Sequence, residues 1–474
     1  MKKFFYWAKF AAGAGAAVLL TGCGLFEELA WDLLTQHTPG REYCAKEVKT
    51  HQHQYSAWVK VPIDHAHPQL GWTEIYTWTW DPFDPEKPSV LVFEGGPGGG
   101  SHSGHLDLPD FNVIYFDQRG VACSQAPTRD LHFDLTYYSS RHTARDAEEL
   151  RKHYGIQEWT VYGTSYGTVP ATIYASLFPE STRAALLEGV VFAGNQDLWG
   201  SEYTRRVLQR YFDRLSPERQ NFILRMSQRD PLFFSDLILP LMYQDNFDQA
   251  FEAQLDQLMG RLEKASGEDF GAPESSASDF QVQSEMSYQT YRALFCRELG
   301  GLEAGSSQLV FQGRTLSYDS RRRHQMGRIC RGVELGPQRE LEIPYRATDY
   351  PIQVPVVYFQ GARDGATAAD AAVRHYKQVP QALRQIFIMP NGGHGPNYFR
   401  IAQLVEARSG QRVHDPQMDP EVRRIQQQIF SQVALGLKVD PVLLAQFRQL
   451  SPQNPWAYAF NPGSDPNPTT GFQE

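Results

Sequence analysis

The chain has no pair of cysteines at C-x-x-C spacing; its five cysteines are scattered over 474 residues. That excludes the usual zinc frameworks. Histidines do occur in close pairs, His51 with His53, His65 with His67 and His102 with His105. No cysteine or carboxylate framework of metal-ligand type accompanies them, so they read as surface-loop residues, and neither a metal nor a cofactor is expected. Positive charge is also in deficit: 45 Lys and Arg stand against 54 Asp and Glu, a formal net charge of −9. Such a balance argues against a nucleic-acid partner. A long uninterrupted apolar run is missing too, because the N-terminal apolar segment is short and broken by Lys9.

What is present points to a globular, exported protein. Hydrophobic residues make up 41% of the chain, nine tryptophans among them, and the length suits one large core with an insertion, or two domains. The start, "MKKFFYWAKFAAGAGAAVLLTGC", has the basic and apolar regions of an export signal over residues 1–22. Leu20-Thr21-Gly22-Cys23 resembles the lipobox of bacterial lipoproteins, which makes Cys23 the lipidated residue and implies a membrane partner through that N-terminal anchor. Gly24 and Leu25 follow, with no aspartate to resemble an inner-membrane retention signal, so the outer membrane is the expected location. Residues 23–43 then form a membrane-proximal linker with an apolar stripe through Leu25, Leu29 and Leu33. Cys44, Cys123, Cys296 and Cys330 would meet an oxidising compartment where disulfides persist. Four cysteines allow three pairings. Their placement, two inside one block and two flanking the first strands, favours Cys296 with Cys330 and Cys44 with Cys123, each bridge stabilising by about 2–4 kcal/mol.

Strand and helix signals alternate through the first block, residues 44–191. "SAWVKVPIDHAHPQLGWTEIYTWTW" reads as two strands about a turn, "SVLVFE", "NVIYFD" and "EWTVYG" as short buried strands, and "RHTARDAEELRKHYG" as a helix with Ala144, Ala147, Leu150 and Tyr154 on one face. Alternation of this kind implies a mostly parallel sheet and an α/β fold. Over residues 192–347 the character changes to amphipathic helical patterns such as "NFDQAFEAQLDQLMGRLEKA", read as a helical cap inserted into the α/β domain. Strand signals return in "VPVVYFQG" and "RQIFIMPNGG" within residues 348–450. The tail, 451–474, is rich in Pro, Asn and Gly and reads as loop, with Trp456, Tyr458 and Phe460 as anchors.

Candidate chemistry sits at the strand ends. In Gly163-Thr164-Ser165-Tyr166-Gly167 a serine is framed by glycines between a strand and a helix, the G-x-S-x-G nucleophile elbow. Acyl transfer needs a base, an acid to orient it and donors for the oxyanion. Asp364 in "GARDGAT" and His394 in "NGGHGP" each follow a strand, and Ser165, Asp364, His394 is the chain order of the α/β-hydrolases. The oxyanion donors are expected to be the backbone N–H groups of Tyr166 and of Gly96 in "EGGPGGGS", since Pro97 has none. Arg119 in "DQRG" has two readings, a substrate contact or a structural pair with Asp117.

Taken in order, "EGGPGGGS", "FDQRGVACS", "YGTSYGT", "GARDGAT" and "GGHG" resemble the proline iminopeptidase and tripeptidyl aminopeptidase family of α/β-hydrolases. The resemblance runs from about Cys44 to His394 and is strongest outside the cap. It implies an α/β-hydrolase fold with a cap over the active site, peptide substrates, and removal of N-terminal residues. Two departures stand out: Glu94 occupies the place where the family commonly has histidine, and the cap shows no clear match to the acids that bind the substrate amine. An exopeptidase that buries an ammonium needs a carboxylate to face it, and Glu188 in "AALLEG" and Glu202 in "WGSEYTRR" are the candidates. Two other readings stand beside the aminopeptidase: an esterase or lipase on the same triad, and a catalytically silent lipoprotein that binds a ligand.

Overall fold

Runs of β-branched and aromatic residues become the central strands, and burial on both faces explains why they read as continuous rather than alternating. The computed structural model describes residues 44, 55–101, 105–124, 135–194, 212–213, 215–229, 247–264, 288–300, 309–311, 314–316, 330, 344–362, 364, 366–389, 392–394, 403–406, 412–414, 419–450 and 458–459. The signal, Cys23, the linker, Glu202 and most of the tail lie outside them.

Nine strands form one sheet: β1 (Tyr55–Pro62), β2 (Trp72–Thr79), β3 (Ser89–Phe93), β4 (Asn112–Phe116), β5 (Trp159–Thr164), β6 (Thr182–Glu188), β7 (Val356–Gly361), β8 (Arg384–Met389) and the two-residue β9 (Tyr458–Ala459). Their spatial order is β1-β2-β4-β3-β5-β6-β7-β8-β9. From β4 to β8 all pairings are parallel; β1, β2 and β9 join antiparallel. The order reverses beside β3, so β3 and β5 flank a switch point, the place where open α/β sheets put their sites, at the carboxyl ends of the strands.

Successive side chains of each strand feed two different cores. Leu91, Phe93, Trp159, Val161, Tyr358 and Ile386 pack on one face with helices α1 (Ser140–His153), α2 (Thr168–Leu177) and, later in the chain, Ala369–Gln378. Val90, Val92, Tyr162, Leu186, Phe359 and Phe387 pack on the other with Pro420–Ala434 and Pro441–Leu450. The sheet is thus covered on both sides, the three-layer answer to an apolar sheet. On α1 the inward residues include Ala144, Ala147 and Leu150, Ser139 caps the helix by accepting from the His142 N–H, and Arg151, Lys152 and His153 complement the dipole at its last turn.

Between residues 192 and 347 the described part carries helices α3 (Pro217–Arg229), α4 (Phe247–Lys264) and α5 (Tyr288–Ala293), a π-turn at Leu294–Glu298, and a short hairpin of Leu309–Phe311 with Arg314–Leu316. The chain that leaves the core and the chain that returns are stitched together: Ala193 bridges to Arg346, the Gly194 N–H donates to Tyr345, and the Ala347 N–H donates to Phe192. Disulfides join Cys44 to Cys123 and Cys296 to Cys330.

Arg119 takes the structural alternative, with a different partner. Its side chain is fully buried; Nε and an Nη donate to Asp146 on α1 at 2.7 and 2.5 Å, and its remaining bonds go to the Pro62, Ile63 and Tyr137 carbonyls. Asp117 serves instead as acceptor for Ser101 and for the Cys123 N–H. The surface-loop reading of the histidine pairs fails at His65: its Nε2 lies 2.7 Å from Asp146, and its ring stacks on His142. Burial would raise the Asp146 carboxyl, but the Arg119 charge and the bonds from His65 and Arg119 more than offset it and hold it below the usual carboxylate range. Burial, with Arg119 beside it, pushes the His142 imidazole down to about 2, so His142 is neutral in the folded chain.

Candidate active site

The elbow after β5 is built by sterics. Ser165 has φ of 53°, a left-handed conformation that L-residues seldom adopt, and it opens a single 3-10 turn that runs into α2. A side chain at Gly163 would collide with the Gly167 carbonyl, and one at Gly167 with the Phe93 and Glu94 carbonyls. The two glycines let the turn fold tightly against β3, and the serine is lifted out at the carboxyl end of the sheet.

Two other strand ends deliver its partners. His394 follows β8 and Asp364 follows β7. Ser165 Oγ lies 2.9 Å from His394 Nε2, and His394 Nδ1 lies 2.9 and 3.0 Å from the two Asp364 oxygens. The carboxylate is completely buried and held from several directions: the Ala366 and Thr367 N–H groups donate to Oδ1, and the Thr367 hydroxyl and the Gln360 amide donate to Oδ2. A carboxylate fixed in this way keeps the proton of the imidazole on Nδ1, which leaves Nε2 as an acceptor facing the serine hydroxyl. His394 retains 14% side-chain exposure, whereas the Asp364 side chain has none. Thr367 Oγ1 also sits 3.2 Å from His394 Nδ1. Thr367 and Gln360 were not identified from sequence; the only local signal was the Asp364-to-Thr367 spacing of a side-chain-stabilised turn.

The glycine loop after β3 lies over the nucleophile. Gly95 is the point of contact, since a Cβ there would stand 3.2 Å from Ser165 Cβ, and Gly96 is the next residue, with φ of 122°. Tyr166 sits in the first turn after Ser165, where a backbone N–H has no acceptor within its own turn. Of the two expected oxyanion donors, Gly96 thus lies on the loop after β3, one residue from the contact at Gly95, and Tyr166 on the elbow, next to Ser165.

The carboxylates fall differently. Glu188 closes β6 beside Thr164, as its strand-end position suggests, but it is only 5% exposed and its Oε2 accepts from the Tyr162 hydroxyl at 2.9 Å. Glu94, half-buried at the end of β3, also acts on Tyr162: burial first, then the charge of Glu188 and more weakly that of Glu94, push that phenol well above its ordinary range. Glu202 is outside the described residues. Among the described residues no cluster of His, Cys, Asp and Glu is arranged to hold a metal ion, and no helix is long and apolar enough to cross a membrane.

A family model described as the alpha/beta hydrolase fold matches residues 88–400, which takes in β3, the elbow, the segment 192–347 and both remaining triad positions. Among curated proteins, a putative proline iminopeptidase of Mycoplasma pneumoniae is 33% identical over 127 residues, 26% of this chain and 39% of that one. A proline iminopeptidase of Xylella fastidiosa is 34% identical over 110 residues, 23% of this chain and 34% of that one. These matches span well under half the length of either relative. A solved proline iminopeptidase from Mycobacterium smegmatis is 12% identical and aligns over 80% of this chain and 99% of its own, with a TM-score of 0.40. With two thirds of its length matched by the family model and a Ser-His-Asp constellation at the three strand ends, the chain belongs to the alpha/beta hydrolase fold family.

Proposed function

We propose that the chain is a serine aminopeptidase, exported and held at a membrane through a lipid on Cys23, that removes N-terminal residues from peptides. The observation that carries the reading is the Ser165–His394–Asp364 hydrogen-bond relay at a strained elbow under a glycine loop. Ser165 Oγ attacks the scissile carbonyl while His394 Nε2 takes its proton, and the oxyanion accepts from the Gly96 and Tyr166 N–H groups. The imidazolium then returns the proton to the leaving amine, which departs and leaves an acyl-enzyme. Water, deprotonated by His394, attacks the ester carbonyl, and collapse frees the released residue and restores Ser165. Asp364 stays ionised and fixes the tautomer throughout.

The peptidase part of this reading is supported by the curated relatives, which are named proline iminopeptidases, and by the ordered motifs shared with that family. The free amine of the substrate is met by Glu188, by Glu202, or by both, because an ammonium enclosed under a cap needs a facing carboxylate. For Glu188 this requires the Tyr162 hydroxyl to share or yield Oε2.

The test compares prolyl p-nitroanilide with its N-acetylated twin. The free amine should be hydrolysed at least about 100-fold faster, and Glu188→Gln or Glu202→Gln should erase that preference. Equal rates on both substrates would overturn the aminopeptidase and leave an esterase or endopeptidase on the same triad.

A further inference from the structure

Tyr166 carries one of the two proposed oxyanion donors on its backbone, and its side chain has a role that the relay does not use. The ring is buried at 2% exposure beneath the elbow, and its hydroxyl lies 2.6 Å from Ser140 Oγ. Ser140 opens α1, and both its hydroxyl and its N–H donate to Glu298 Oε2, at 2.8 and 3.0 Å. A serine hydroxyl has one proton. With that proton on the carboxylate, the chain has one direction: the Tyr166 hydroxyl donates to Ser140, and Ser140 donates to Glu298.

Glu298 is not on the catalytic domain's own stretches. It ends the π-turn Leu294–Glu298, two residues after Cys296, which is bridged to Cys330. Its own carbonyl accepts from the Tyr345 N–H at 2.7 Å, and Tyr345 in turn accepts from Gly194, so Glu298 sits on the seam where the chain leaves the core and returns to it. Capping α1 does not account for the arrangement. Ser139 already caps that helix, and a bond to the Ser140 N–H would suffice for any cap from outside; the further link through the hydroxyl to Tyr166 is additional.

We propose that Glu298 is a positioning residue for the oxyanion hole: through Ser140 and the Tyr166 ring it fixes the Tyr166 backbone N–H at the reacting centre, and so makes the cap seam a working part of acyl transfer. The proposal rests on the serine-hydrolase reading of Ser165 and not on the identity of the substrate. Placing a donor to within a few tenths of an ångström matters because an oxyanion hole works by being fixed before charge develops. A buried carboxylate is a costly anchor, and burial pushes Glu298 up to about 7 against the two bonds from Ser140 and the charge of Arg141 on α1. Tyr166 feels the same environment: burial first, then the Glu298 charge, drive its phenol far above its ordinary range, so the tyrosine stays a donor.

The experiment follows the kinetics with which a fluorophosphonate labels Ser165. In that step the serine oxygen bonds to phosphorus, His394 takes the serine proton and fluoride leaves, so it needs the nucleophile and the oxyanion hole but no knowledge of the peptide. Glu298→Met, which has no oxygen to accept from Ser140, Ser140→Ala and Tyr166→Phe should each lower the maximal labelling rate about 10-fold while the half-saturating concentration stays within about twofold. The double variant Tyr166→Phe/Glu298→Met should be no slower than the slower single variant, because both cut one chain. Tyr166→Phe removes a single oxygen and carries the test if Glu298→Met fails to fold. Rates within about twofold of wild type in folded variants, or losses that multiply in the double variant, would overturn the proposal. A wild type that does not label at all would remove the nucleophile beneath it and, with it, the hydrolase reading.

Discussion

Two buried networks in this molecule contain the same parts, an aspartate with a histidine bonded to it, and they behave in opposite ways. At Asp364, four protein donors besides His394 satisfy the carboxylate, and the far side of the imidazole faces a strained serine with some solvent access. At Asp146, the carboxylate is spent on Arg119 and His65, and Arg119 uses its remaining donors on three carbonyls; both charged groups have 1% side-chain exposure. The second network ties the end of β1, the turn after β4, the segment before α1 and α1 itself together, and both Asp146 oxygens and the Arg119 guanidinium are used within it. Residue type and burial are shared. What separates a site from a strut is a polar atom left aimed at space where a substrate can stand.

Removing the histidine or arginine partner from each aspartate sharpens this difference. His394→Ala should cut turnover by about 10⁵-fold while shifting unfolding free energy by less than about 1 kcal/mol, because Asp364 keeps its other four donors. Arg119→Met should do the reverse. Leaving Asp146 buried without its guanidinium should cost about 3–5 kcal/mol, and folded protein at low temperature should retain most of its turnover. Urea unfolding and initial rates on the same preparations check both.

A smaller effect is expected on acidification. Burial pushes His375 down to about 4 and His142 to about 2, whereas in the unfolded chain both titrate near 6.5. Below that value the unfolded state binds protons that the folded state refuses, so these residues contribute stability above about pH 6.5 and withdraw it progressively as the pH falls toward their folded values. His375→Gln should reduce the slope of unfolding free energy between pH 6 and pH 5 by up to about 1.4 kcal/mol per pH unit. An unchanged slope would mean that His375 takes up its proton without unfolding.

The layered sheet and the relay were legible because their signals are local. Gly163 and Gly167 announce the elbow by spacing, "VPVVYFQG" and "RQIFIM" announce strands, and Asp364 and His394 follow them at once. What the sequence conceals is contacts between distant segments. Arg119 sits two residues from Asp117 in sequence yet pairs with Asp146, 27 residues away, because α1 packs beside the turn after β4. His65, whose only local context is a turn, reads as solvated for the same reason. Glu298 meets Ser140 across 158 residues, within a region whose composition says only that it is helical. Glu188 was placed correctly at its strand end, but nothing local shows that Tyr162, two residues before Thr164 on the neighbouring strand, takes one of its oxygens.

The central claim, that of these networks only the one at Ser165 performs covalent chemistry, is tested most directly by peptide mapping after reaction with a fluorophosphonate. The expected result is one adduct, on Ser165, absent from Ser165→Ala. Label retained by Ser165→Ala, or found on Ser101 or Ser140 in the wild type, would contradict it.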